Sequence, residues 1–113
     1  MVSKGDIVLV PFPFTDLSQT KVRPAVTLWS DVAGADVLLC FITSQPGDPL
    51  AFELLLDPQD SEFPLTGLQV RSRLRVTRMA TIERRLLRRR LGKLGEQMLQ
   101  RLDASLKQAL QLS

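Results

Sequence analysis

The chain has 113 residues, is 44% hydrophobic and carries a formal charge of +3, with one cysteine and no histidine. This fits a single domain over residues 1–113 built on one core, without a membrane-length apolar run or a secretion signal, so a cytoplasmic protein is expected. Without an imidazole, catalytic triads and two-histidine RNA cleavage are excluded, and one cysteine leaves no zinc ligand set.

In chain order, GDIVLVPFPF predicts a strand over 6–10 whose pairing ends near Phe12, because Pro11 and Pro13 lack the N–H a central strand needs. Polar residues 15–21 predict a loop, and PAVTLW a second strand over 24–29. A turn over 31–34 leads into ADVLLCFIT, whose unbroken apolar run over 35–43 predicts a strand buried on both faces at the centre of the sheet. Cys40 lies inside this run and is expected to be a buried small hydrophobe. SQPGDP marks a turn and AFELLLD a short strand, and the pattern breaks again over 58–66.

From 67 to 77 the residues alternate. Leu68, Val70, Ser72, Leu74 and Val76 are expected on the core face, with Gln69, Arg71, Arg73, Arg75 and Thr77 on the other. MATI predicts a small closing strand, ERRLLRRRL a short helix interrupted at Gly92 and Gly95, and residues 96–111 a last helix. Leu99, Leu102, Leu106 and Leu110 repeat there at helical spacing, as core or dimer packing requires. Together these elements predict a mainly β fold with a C-terminal helix, a small twisted barrel.

Charge divides along the chain: residues 1–70 carry three basic and nine acidic side chains, residues 71–113 twelve basic and three acidic. Such a basic segment attracts a polyanion such as nucleic acid, although a solvated face or a contact with an acidic protein accounts for it equally well. Neither GxxxxGK[ST] nor GxGxxG occurs, so no nucleotide cofactor is expected, and no metal. Arginine and hydroxyl groups suffice for phosphoryl transfer when the substrate brings its own nucleophile, as the 2'-hydroxyl of RNA does. Arginine matches phosphate oxygens bidentately, and Thr43 and Ser44 offer hydroxyls at a strand end, where turn chemistry is the simpler explanation of both.

GDIVLVPFPFTDLSQTKVRPAV, the strand-end ITS about twenty residues later and the late MATIERRLLRRRLGKL resemble, in order and spacing, the MazF/PemK family of toxin endoribonucleases. The resemblance implies an SH3-like small barrel of the CcdB/MazF type, assembled as a homodimer. It also implies metal-independent, sequence-selective cleavage of single-stranded RNA, chiefly mRNA, to 2',3'-cyclic phosphate and 5'-hydroxyl ends. The implied partner is a cognate antitoxin with an acidic, partly disordered C-terminal segment. Carried over, the family's catalytic arginine falls on Arg23 and its threonine on Thr43. The loop that covers the RNA corresponds to residues 15–21, making Ser18, Gln19, Thr20 and Lys21 RNA-binding candidates together with Ser44, Gln45 and Arg71. The chain departs from the family in carrying Thr77, Arg78 and Met79 where members often have an acidic or amide residue, and in its heavier arginine content at Arg71, Arg73, Arg75 and residues 84–90. Two other readings stay open: a toxin of the same fold that binds a protein such as gyrase, and a regulator that binds operator DNA together with its antitoxin, although no helix-turn-helix signature is present.

Overall fold

The computed structural model describes residues 2–11 and 21–112. They form strands β1 (Asp6–Pro11), β2 (Val22–Ser30), β3 (Asp36–Thr43), β4 (Glu53–Leu56), β5 (Ser72–Glu83) and β6 (Arg89–Lys93), and helix α1 (Glu96–Ala109). All six strands join one antiparallel sheet in the order β4-β5-β3-β2-β1-β6, a half-barrel with the single helix packed against it. The expected class, mainly β with a C-terminal helix, is the one observed.

β3 lies inside the sheet between β5 and β2, as its unbroken apolar run predicts. Its alternate residues feed two cores. Cys40 and Ile42 join Ile7, Val26, Leu56, Leu74 and Val76 beneath Met98 and Leu102 of α1. Val37, Leu39 and Phe41 join Val8, Val10, Ala25 and Ile82 on the other face. Cys40 is fully buried, and burial pushes its thiol up to about 12, so it remains a neutral hydrophobe.

The arginine-rich segments depart from the expected elements. Alternation from Gly67 does not hold at its start, because β5 begins only at Ser72 and Val70 is 54% exposed. MATI is not a separate strand but the second half of β5. A bulge interrupts that strand: Arg75 faces Phe41 and Met79 faces Cys40, so Val76, Thr77 and Arg78 bend it between consecutive partners. The helix expected over ERRLLRRRL is replaced by a 3-10 turn, Arg84–Leu86, and by β6. Here β1 has a free edge, which Arg89 and Arg90 fill by pairing with Leu9 and Val8, and tertiary pairing overrides a modest helical preference. The charged side chains then blunt the new sheet edge.

In α1 the buried residues are Met98, Leu102 and Ser105. Leu99 and Leu106 flank this stripe, whereas Leu110 is 53% exposed, so the helix is rotated slightly from the leucine repeat. Gly95 occupies the N-cap and has no side chain to cap with, so the first turn is capped from a distance. The Glu62 carboxylate accepts hydrogen bonds from the Gln97 and Met98 N–H groups at 3.0 and 2.9 Å. A Cβ at Gly95 would lie 2.4 Å from Glu62 Cδ, which explains the glycine. Replacing Glu62 with Ala removes both acceptors and the charge favoured at a helix N-terminus. The variant should lose about 1–2 kcal/mol and melt several degrees lower; an unchanged Tm in thermal denaturation would show that this cap is idle.

Candidate functional site

β2 is longer than the expected 24–29, and Arg23 lies within it, paired with Val10 of β1. Between β2 and β3, Ala25 faces Phe41, Val26 faces Cys40 and Thr27 faces Leu39. Carried two residues outward, this register sets Arg23 opposite Thr43, the last residue of β3. Thr43 pairs in turn with Arg73 of β5. Cross-strand partners share a face, so Arg23, Thr43 and Arg73 form a row over three adjacent strands, continuous with Ala25 and Phe41. With strands about 4.8 Å apart, the hydroxyl has a guanidinium-bearing residue on each side.

Thr43 is half-buried, and its Oγ1 accepts a hydrogen bond from the Gln45 N–H at 3.2 Å. A hydroxyl has two acceptor lone pairs and one donor, so this turn bond leaves the Thr43 proton available for an anion. Turn chemistry and anion binding are therefore compatible at this residue. Ser44 and Gln45 follow on the exposed loop, and Lys21 is exposed just ahead of β2. Arg71 braces the same loop, with Nη1 donating to the Gly47 carbonyl at 2.9 Å and Nη2 3.8 Å from the exposed Asp48 carboxylate. Ser18, Gln19 and Thr20, with most of the 15–21 loop, lie outside the described residues.

Sequence reading missed the carboxylate that organises this corner. Glu53 of β4 lies opposite Arg75, its side chain only 6% exposed. Its Oε1 is 2.8 Å from Arg73 Nη1, and its Oε2 is 3.2 Å from Arg75 Nε. The Leu50 N–H donates to the same carboxylate at 3.0 Å. Burial alone would raise the Glu53 pKa, but the Leu50 hydrogen bond and the two guanidinium charges outweigh it and hold the carboxyl below its usual range. Arg73, expected on a solvated face, is buried; it reaches the Gln45 carbonyl at 3.4 Å, and its Nε has no partner among the described residues. A lone acid in the apolar run AFELLL, beside a strand with arginines two apart, was the available signal.

Three further arginines make separate local contacts. Arg84 clasps the β2–β3 turn through Ser30 Oγ and the Asp31 carbonyl, Arg85 pairs with Glu83 at 2.7 Å, and Arg90 lies 3.3 Å from Asp6. Among the described residues no cluster of three or more histidine, cysteine or acidic side chains could hold a metal ion.

Residues 3–110 match the family model described as PemK-like, MazF-like toxin of type II toxin-antitoxin system. No curated protein sequence is similar enough to the chain to count as a match. Solved structures share the fold at low identity. An endoribonuclease in complex with its cognate antitoxin, from a mycobacterial species, is 15% identical, with 100% of this chain and 98% of that one covered and a TM-score of 0.76. The Mycobacterium tuberculosis toxin MazF-mt6 is 22% identical over 96% and 98%, with a TM-score of 0.74. MazE-MazF from Deinococcus radiodurans is 20% identical over 99% and 97%, with a TM-score of 0.76.

The Glu53 pairs carry a defined pH signature. A carboxyl whose pKa is lower in the folded state stabilises the fold above its unfolded value of about 4.5, and this contribution is lost as pH falls through the folded pKa. Glu53→Gln leaves Arg73 buried without its counter-charge and should destabilise the protein at pH 7 by about 3 kcal/mol. Urea denaturation from pH 7 to pH 3 should show the gap between wild type and variant closing below pH 4.5. A gap independent of pH would mean that the carboxylate charge is not what Arg73 and Arg75 require.

Proposed function

The chain belongs to the PemK-like, MazF-like toxins of type II toxin-antitoxin systems, and from this premise we propose that it is a sequence-selective endoribonuclease of the cytoplasm that cleaves single-stranded RNA, chiefly mRNA, without a metal. The observation that carries this reading is the register of β2 on β3, in which Ala25 faces Phe41; extended two residues along both strands, it would bring Arg23 opposite Thr43. In the proposed reaction the 2'-hydroxyl of one nucleotide attacks the adjacent phosphorus while the bond to the 5'-oxygen of the next nucleotide breaks. The 2'-hydroxyl loses its proton to solvent and the departing 5'-oxygen gains one, giving 2',3'-cyclic phosphate and 5'-hydroxyl ends.

Arg23 binds the scissile phosphate and stabilises the charge that develops on its oxygens, where a planar guanidinium is well matched. A guanidinium is a permanent positive charge and a poor proton exchanger, so the role proposed here is electrostatic. Thr43 donates its free proton to the same phosphate or orients the attacking hydroxyl. Ser18, Gln19, Thr20, Lys21, Ser44, Gln45 and Arg71 contact the flanking nucleotides. The working unit is a homodimer, held inactive by an antitoxin whose acidic segment competes for the basic surface and which alone brings the toxin to operator DNA. Structures of this fold solved with an antitoxin support that partner.

Purified wild type should cut a long mixed-sequence RNA in EDTA, with cyclic phosphate ends. Arg23→Ala should lower the rate roughly 100- to 1,000-fold, and Thr43→Val about tenfold or more, with both variants still folded and dimeric by circular dichroism and size-exclusion chromatography. Cutting by Arg23→Ala at the wild-type rate would remove Arg23 from the mechanism. A wild type that stops growth yet leaves RNA intact would favour a protein target instead.

A further inference from the structure

Arg75 of β5 shares its carboxylate partner with a second arginine. Arg85 and Arg90 each face one acidic side chain, at 2.7 and 3.3 Å, and Arg84 is committed to the β2–β3 turn. Arg75 also faces a carboxylate, but Glu53 is already matched by Arg73 at 2.8 Å, with both of those side chains buried. The three groups together carry a net charge of +1, and the exposed member is Arg75, whose side chain is 43% accessible. Glu53 therefore orients Arg75 without cancelling the local positive charge.

The geometry is suited to an incoming oxyanion. Glu53 engages Arg75 through Nε, at 3.2 Å, and the Nη groups have no hydrogen-bond partner among the described residues. Those end-on N–H donors form the fork that grips phosphate bidentately. Arg75 faces Phe41, and Thr43 lies two residues further along β3, opposite Arg73. The diagonal neighbour on an antiparallel pair is about 7–8 Å away, within reach of a long side chain. Arg23, Thr43 and Arg75 thus share one face of the sheet.

We propose that Arg75, oriented by Glu53 and Arg73, is a second phosphate-binding group for single-stranded RNA, holding the backbone of a nucleotide flanking the one at Arg23 and Thr43. This rests on the RNA-cleaving reading above. Arg75 touches the substrate, whereas Glu53 and Arg73 are positioning residues.

The test is binding of a mixed-sequence 2'-O-methyl RNA, which lacks the attacking hydroxyl, measured at several salt concentrations. Removing one phosphate contact from a single strand should make the slope of log K against log[salt] shallower by about 0.7. Arg75→Gln should show that change with an affinity loss of about tenfold. On unmodified RNA it should raise KM while kcat holds, a split that loss of folding would not produce. Arg75→Lys keeps the charge but not the fork, and should retain the salt slope while binding several-fold more weakly. Unchanged affinity and slope in Arg75→Gln would overturn the proposal. So would intact RNA binding alongside weakened binding of an oligoglutamate peptide, which would assign Arg75 to an acidic protein partner. A wild type that binds the probe through Arg75 yet cuts no RNA would sink the nuclease reading and leave the phosphate contact standing.

Discussion

The antiparallel register of β3 with its two neighbours is the constraint on which the rest depends. Because side chains alternate with a period of two, a slip of one residue would exchange Val37, Leu39 and Phe41 with Cys40 and Ile42 and turn Thr43 to the opposite face. Both faces of β3 are buried, one against α1 and the other in the second core, so neither tolerates the exchange. The row formed by Arg23, Thr43 and Arg73 is consequently fixed by core packing. A one-residue slip would have to disrupt both cores before it could rearrange this corner.

Glu53 extends the same logic to electrostatics. A carboxylate buried at the edge of a sheet is tolerable only if counter-charges and N–H donors meet it there, and Arg73, Arg75 and the Leu50 N–H do so. Phe52, immediately before it, adopts a positive φ of 58°, uncommon for a bulky residue, as the chain turns into β4. The strong basic excess of the C-terminal part of the chain is thus divided among several tasks. Arg73 is internal, Arg84 fastens a turn, Arg71 braces a loop, and Arg89 and Arg90 line the sheet edge.

What was legible in the sequence follows from how local each cause is. β1, β3, the buried Cys40 and the amphipathic α1 were readable because periodicity and proline chemistry act within a few residues. The ordered set of motifs carried Arg23 and Thr43, and the strand register then supplied their neighbourhood. ERRLLRRRL was misread because its strand state comes from pairing with β1, far away in sequence, which no local preference records. Glu62 capping a helix 35 residues later, and Glu53 meeting arginines 20 and 22 residues later, are invisible for the same reason. The alternation over 67–77 identified the arginine face of β5 but not that β4 would cover part of it and bury Arg73.

A chain without imidazole has few side chains that exchange protons near neutrality, and the proposed reaction is suited to that limitation. RNA supplies the nucleophile, so the protein's share is to hold permanent positive charge and one hydroxyl where negative charge develops. Such charge lowers a barrier only when it is fixed in advance, since a mobile arginine must be ordered at the moment of reaction and gives back much of the gain. Strand-borne Arg23 and Thr43, with Arg75 steadied by a buried carboxylate, satisfy that requirement through the sheet itself. The forces that stabilise this fold and those proposed to act on the phosphate are therefore largely the same ones. That overlap explains why the most revealing residue outside the motifs, Glu53, is a buried acid that need never touch the substrate.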